Sequence, residues 1–276
     1  MLLYVNWNID PEIFSIGSIS VRYYGLLWAT SFILSYYILK KIFLKEGLSV
    51  DMLDKLSTYV FIGTIVGARF GHIFFYGPYF DEFNAQGQLI STGYFSHPIE
   101  MLKIMNGGLA SHGAGIGIMV ALWYFTKKYD RTFLWLADRI AIAVALSGFL
   151  IRMGNLLNSE IYGIKTDLAW GFVFQRVGET VAKHPTQIYE GGIALIVFIS
   201  LMYMYFKTKL FEKSGLAFGI FMSVIFLDRF FIEFIKEKQV DFEANMFLDM
   251  GQILSIPLIL FGVFFIIRAL KVKKAA

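Results

Sequence analysis

The sequence predicts an all-α, polytopic integral membrane protein with seven transmembrane helices, and three observations lead there. Its composition is 57% hydrophobic, with a mean hydropathy of +0.61 and 29 phenylalanines among 276 residues, above the ~45–50% apolar share of a soluble domain. Seven apolar segments of bilayer-crossing length recur along it. The lysines and arginines between those segments alternate in density, as they do when successive loops fall on opposite sides of a membrane. Together these make residues 1–276 one membrane domain.

The spans read from apolar length lie at about 20–39, 58–76, 109–126, 134–153, 187–206, 215–235 and 249–267. Before the first, MLLYVNWNIDPEIFSIGSIS has no Lys or Arg and carries Asp10 and Glu12, so it lacks the basic start of a cleavable signal and is expected to be retained. After the first span come Lys40, Lys41, Lys45 and Lys55, whereas the next loop, 77–108, has Lys103 alone. The third connection holds Lys127, Lys128 and Arg131, and the fourth, 154–186, holds Lys165, Arg176 and Lys183. Lys207, Lys209 and Lys213 follow the fifth span, Lys236 and Lys238 the sixth, and Arg268, Lys271, Lys273 and Lys274 the last. One side thus collects 14 cations and the other 6. Because cytoplasmic loops are enriched in Lys and Arg, the N-terminus is expected outside and the C-terminus in the cytoplasm. The two outer loops, 77–108 and 154–186, are expected to form a small extracytoplasmic head.

Five arginines fall inside the spans: Arg22, Arg69, Arg139, Arg152 and Arg229. Each costs ~2.5–3.5 kcal/mol at a bilayer centre, so such residues mark function unless they snorkel to the headgroups. Snorkelling suits Arg139, near the inner end of span four. The other four project toward the outer leaflet, at the level of Tyr24, His72, His112, Asn155, Glu160, His184, Glu190, Asp228, Glu233 and Gln252. A one-sided cluster rich in arginine, in a medium of low dielectric constant, suits an anionic headgroup from the outer leaflet, with phosphate as the anion. The chain has no Cys, which excludes a disulfide framework, thiolate metal sites and a thiol nucleophile of its own.

Four stretches carry the chemistry. GGLASHGAGIG offers glycines for a phosphate loop, but no strand precedes it. Its Gly113 and Gly117 also form a GxxxG packing pair, or clear room for a bulky substrate. His112 within it is the side chain best matched to proton transfer near neutral pH. IRMGNLLNSEIYG places Arg152 and Asn155 on one helix face, able to meet one ligand, or else ends a helix in a polar cap. HPTQIYEGG opens span five, with Pro185 suited to a first helical turn. In DRFFIEF, Arg229 and Glu233 have the i, i+4 spacing of an internal pair, which leaves Glu233 to orient the guanidinium.

These stretches, with FSIGSISVRYYGL near the start and DMGQILSIP near the end, resemble the prolipoprotein diacylglyceryl transferase family, in order and nearly end to end. The resemblance implies a multi-pass enzyme of the bacterial cytoplasmic membrane, its active site facing the outer leaflet. It implies transfer of a diacylglyceryl group from phosphatidylglycerol to the lipobox cysteine of a prolipoprotein signal peptide, with release of glycerol phosphate. The partners implied are these two substrates and membrane lipids; no nucleic acid, metal or cofactor is called for. Carried over by position, His112, Arg152, Asn155, Glu160 and Arg229 are functional, and Tyr24 and Gly163 match as well. The sequence departs from the family pattern at Ile151, Leu156 and Ile225. At Ile225 many members have Tyr, so proton transfer is expected to rest on His112.

The reaction is displacement at an sp³ carbon by a thiolate. A cysteine with a pKa of ~8.5 needs a base, and a departing phosphate needs fixed positive charge. His112 is therefore expected to take the thiol proton and Arg152 and Arg229 to hold the phosphate. Asn155 and Glu160 would orient that site, and Tyr24 would line the lipid entrance. Arg69 and His184 are further binding candidates. The rivals are a transporter, whose midplane site and repeats are not evident, an intramembrane protease using Ser147 with His184, and a lipid-binding structural protein.

Overall fold

The computed structural model describes residues 4–17, 19–75, 77–84, 86–103, 108, 110–237 and 247–271. Seven α-helices lie among the described residues: α1 (Tyr23–Lys45), α2 (Val50–Phe75), α3 (Ser111–Lys128), α4 (Phe133–Leu157), α5 (Thr186–Lys207), α6 (Leu216–Ile232) and α7 (Met250–Lys271). Five of them, α1, α2, α4, α5 and α7, are long and apolar enough to cross a membrane. Their flanks leave Phe61, Ile196, Leu260 and Phe264 uncovered, a surface that hydrocarbon solvates and water does not.

The helices follow the apolar segments, and their ends show why the boundaries shift. Helix α2 starts well before its expected span because Ser49 accepts the Met52 N–H at 3.2 Å and Lys55 pairs with Asp51 at 2.6 Å. Helix α4 is started by Thr132, which accepts the Trp135 N–H at 3.2 Å. Helix α7 opens on Asp249, whose own N–H is accepted by the Gln252 side chain at 3.0 Å, one half of a capping box. The hydropathy pattern gave no sign of the six short strands that, among the described residues, form three two-stranded sheets. They are β1 (Val5–Trp7), β2 (Glu12–Ile16), β3 (Ile19–Arg22), β4 (Glu82–Phe83), β5 (Leu89–Ser91) and β6 (Phe172–Phe174).

Residue contacts group the chain into two units, one running to Ile42 and resuming at Ala137, the other covering Phe43–Leu136. In the first, β1 pairs in parallel with β6, in the register Val5↔Phe172. Trp7 donates to the carbonyl of Leu156 at 3.0 Å, satisfying an open end of α4. Leu156, Phe172 and Phe174 form a small core there, with Tyr162 stacked on Phe174 at 4.8 Å. Deeper in this unit, Asp138 of α4 is wholly buried and accepts the N–H groups of Gly215 and Phe218, at 2.7 and 2.8 Å. A carboxylate from a neighbouring helix thus caps α6.

In the second unit α2 and α3 pack through facing small residues. A Cβ on Gly113 would lie 2.2 Å from the Gly67 carbonyl oxygen, and one on Gly117 would lie 1.9 Å from that of Gly63. The backbones therefore touch, as small-residue motifs allow. The glycines around His112 were expected to leave room for substrate as well as to pack. Gly113 and Gly117 pack, and among the described glycines of that stretch only Gly115 faces open space.

Candidate functional site

In the first unit the C-terminal turns of α4 meet the first turns of α5. Arg152 donates from Nη1 to Asn155 Oδ1 at 3.2 Å and from Nη2 to Glu190 Oε1 at 3.0 Å. Asn155 in turn donates to Glu160 Oε1 at 2.7 Å. The i, i+3 spacing that placed Arg152 and Asn155 on one face therefore brings them into direct contact, and Glu160 completes the chain.

Glu160 is held in an unusual backbone. Ser159 and Ile161 on either side have φ of 55° and 62°, the left-handed region that a β-branched residue rarely enters. Four hydrogen bonds enforce it. Glu160 N–H donates to the Asn155 carbonyl at 3.0 Å, and Asn158 Nδ2 to Glu160 Oε1 at 3.4 Å. Fully buried Gln187 and Thr186 donate to the carbonyls of Glu160 and Ile161, each at 2.7 Å. HPTQIYE is thus more than a polar helix start, because two of its side chains fix the loop that carries Glu160.

Gly163 is needed for close approach. A Cβ there would stand 2.3 Å from the Ile235 carbonyl oxygen and 2.8 Å from His184 Cβ. Its N–H reaches the His184 carbonyl at 2.8 Å, and Ile164 N–H reaches that of Ile235 at 2.9 Å. The loop after α4 is stitched in this way to the segment after α6. His184 sits in that seam, its Nδ1 3.4 Å from the Tyr189 hydroxyl, and burial lowers its pKa from the ordinary histidine value. Tyr24, in the first turn of α1, lies against Gly154, where a Cβ would come within 2.8 Å of its ring.

Arg229 lies in the last turn of α6, where a cation suits the helix dipole, and its Nε is buried without a hydrogen-bond partner among the described residues. The expected internal pair with Glu233 is not among the ion pairs described; Glu233 faces Lys236 instead, at 3.6 Å. Gly251, at the start of α7, leaves room for that carboxylate, since a Cβ there would meet it at 2.7 Å.

Sequence reasoning missed Lys236, which it counted as an outer-loop cation. Its side chain is only 4% exposed and lies 3.5 Å from Glu190 Oε1. Burial lowers its pKa, Glu190 opposes that shift, and Arg152 and Arg229 add to it. One ammonium therefore feels both arginines. The usable signal was its i, i+3 spacing from Glu233 at the end of DRFFIEF.

The second unit holds Arg69 and His112. Arg69 directs Nε, Nη1 and Nη2 to the carbonyls of Met101, Gly108 and Glu100, at 2.9, 3.1 and 2.6 Å, beneath the Tyr94 ring at 5.1 Å. Its donors clamp the α2–α3 connection, and a cleft of about 200 Å³ beside it is lined by His72, Tyr94 and Lys103. His112 is the second residue of α3 and half-buried.

Apolar helices around a buried cluster of arginine, lysine, carboxylate and amide groups define a multi-pass membrane protein with a polar site at its helix ends. Among such proteins, the chain belongs to the prolipoprotein diacylglyceryl transferase family, whose profile matches residues 11–268. Three relatives named phosphatidylglycerol–prolipoprotein diacylglyceryl transferase are similar over nearly their whole length. The protein from Tolumonas auensis is 43% identical over 97% of this chain and 98% of its own. Those from Porphyromonas gingivalis and Chloroherpeton thalassium are 40% and 38% identical, each over 97% of this chain and 95% of their own.

Proposed function

We propose that this chain transfers the diacylglyceryl group of phosphatidylglycerol to the lipobox cysteine of prolipoproteins, the first step of lipoprotein maturation. The observation that carries the reading is the cluster in which Arg152 and Lys236 share the buried carboxylate of Glu190, with Arg229 near enough to act on the Lys236 ammonium. Three cations among carboxylates suit a phosphate that gains charge during the reaction more than they suit a neutral substrate.

In the displacement the cysteine S–H bond loses its proton to His112, and the sulfur forms a bond to the glyceryl sp³ carbon. The C–O bond to phosphate breaks, its electron pair leaving with glycerol phosphate. Arg152 and Arg229 receive the phosphate, and Arg152 offers the planar fork that matches two of its oxygens. Asn155 and Glu160 hold that fork in place, Glu233 orients the neighbouring cations, and His184 and Gly163 keep the loop docked. Tyr24 lines the lipid entrance. Arg69 acts through the α2–α3 connection that leads to His112.

The reading extends to seven spans in the bacterial cytoplasmic membrane, with α3 and α6 as the two shorter crossings, the C-terminus in the cytoplasm and the site facing the outer leaflet. Its support is the alternation of loop charge. The whole chain then forms one membrane domain with the two outer loops as its head. A protease reading draws no support from Ser147, whose hydroxyl lies 3.4 Å from that of Ser35.

Purified protein incubated with labelled phosphatidylglycerol and a lipobox peptide separates the possibilities by peptide mass. A peptide gaining a diacylglyceryl group supports the assignment. A cleaved peptide supports proteolysis, and an unchanged one leaves a binding or transport role.

A further inference from the structure

We propose that Lys236 is a third ligand of the lipid phosphate, held in the lipid-free protein by Glu190 and Glu233 as exchangeable counter-ions. The inference rests on the function proposed above and adds a subsite to it, one that recognises the oxyanion of a phosphate ester.

The first support is that the cluster is buried but poorly closed. The nearest carboxylate oxygens to Lys236 Nζ lie at 3.5 and 3.6 Å, although its side chain is 4% exposed. Charge-assisted pairs built for stability close to ~2.7–2.9 Å, and a buried ion pair is in any case a weak source of stability. The ammonium has three N–H donors and, among the described residues, one hydrogen bond, at the edge of the allowed range. Arg229 Nε, Glu190 Oε2 and Glu233 Oε2 are buried with no hydrogen-bond partner among the described residues. Buried polar groups left in this way need explaining. A phosphate placed among them gives the spare donors of Lys236 and Arg229 an acceptor, and takes over from Glu190 the charges of Arg152 and Lys236.

The second support is access. Lys236 and Glu233 both line a cavity of about 520 Å³ that also borders Ile164, Phe234 and Gln252. The backbone of Lys236 is fixed by its bridge to Gly163, so its four-carbon stem is the moving part. An ammonium on a flexible stem can leave Glu190 for a phosphate oxygen, which a rigid fork does less readily. Protonation and phosphate binding are then linked. Burial holds the Lys236 pKa down, and an added anion would favour the charged form.

The test compares wild type with Lys236→Gln and Lys236→Arg, using phosphatidylglycerol vesicles and a lipobox peptide. Inhibition by glycerol phosphate and by inorganic phosphate is measured alongside. Loss of a charge-assisted hydrogen bond should raise KM for the lipid by about 10- to 100-fold with a smaller change in kcat, weaken both inhibitors in parallel, and be rescued by Arg. Unchanged KM and inhibition overturn the proposal. So does a change in lipid KM with both inhibitors unaffected, since the contact then lies elsewhere on the lipid.

If Lys236→Gln does not fold, the pH dependence of glycerol phosphate inhibition in wild type decides. Above neutral pH the ester is already dianionic. Among the described residues, the charged groups around Lys236 are Glu190 of α5, Arg152 of α4, Asp228 and Arg229 of α6, and Glu233 and Glu237 of its own segment, with Asp249 across the cavity. The arginines keep their protons throughout. Inhibition should weaken as the pH rises through the lowered Lys236 pKa, and persist to higher pH in Lys236→Arg. Identical pH profiles for the two proteins overturn the proposal. Absence of transfer by wild type would instead remove the function on which the proposal rests.

Discussion

Arg152 is the residue at which charge and geometry separate. Its two terminal nitrogens already face different acceptors, Asn155 and Glu190, and a lysine offers one point charge in place of that fork. Arg152→Lys is expected to lose about 10- to 100-fold in kcat/KM, the worth of one charge-assisted hydrogen bond, with folding intact by melting temperature. Near-normal turnover with phosphatidylglycerol would count against the phosphate role. His112→Gln should lose turnover by about 10²–10⁴-fold, the usual contribution of a general base, while still binding lipid vesicles. Unchanged turnover removes the histidine from the chemistry.

At the scale of elements, the α2–α3 seam and the Gly163 stitch carry the next predictions. Gly117→Ala drives a Cβ into the Gly63 carbonyl and should cost about 1–3 kcal/mol by overpacking. Gly115→Ala meets nothing and should leave the melting temperature unchanged. The His184 prediction concerns pH. Its pKa is lowered by burial, so the unfolded chain binds a proton more readily than the folded one. Stability should then fall as pH drops through the unfolded value of ~6.5. Melting temperatures of wild type and His184→Gln, compared at pH 7.5 and 5.5, should show the smaller acid loss in the variant. An equal loss would mean that His184 is not what titrates.

The elements also show how far the sequence could be read. Helices α1, α2, α4, α5 and α7 were legible because a bilayer imposes length and apolarity on a helix that crosses it. The start of α2 was not, since its first turns are held by the Ser49 cap and the Asp51–Lys55 pair rather than by hydropathy. Strands β1 and β6 are three residues each and pair across the chain, where no local period reports them. In the site, the Arg152–Asn155 contact was legible from helical spacing, whereas Glu160, beyond the end of α4, was reached only through the resemblance. Lys236 was not, because the carboxylates that bury it come partly from α5 and only the fold brings them together.

For the whole molecule, the alternation of loop charge predicts topology, and the absence of cysteine makes that testable without background. Single-cysteine variants at Lys165 and Lys213 should divide in intact cells stripped of their outer layers. The first should react with a membrane-impermeant thiol reagent, and the second only after lysis. The reverse pattern would put the arginine-rich end on the cytoplasmic side and remove the outer-leaflet lipid from consideration.

Catalysis is proposed to rest on fixed cations that hold a lipid phosphate while a peptide sulfur displaces it. The most direct measurement uses phosphatidylglycerol labelled separately in its diacylglyceryl and head-group parts, mixed with purified protein and a lipobox peptide. Thioether-linked peptide and free glycerol phosphate are expected in equal amounts, both greatly reduced in Arg152→Lys. Head-group release without peptide modification, or equal product from the variant, would contradict the proposal.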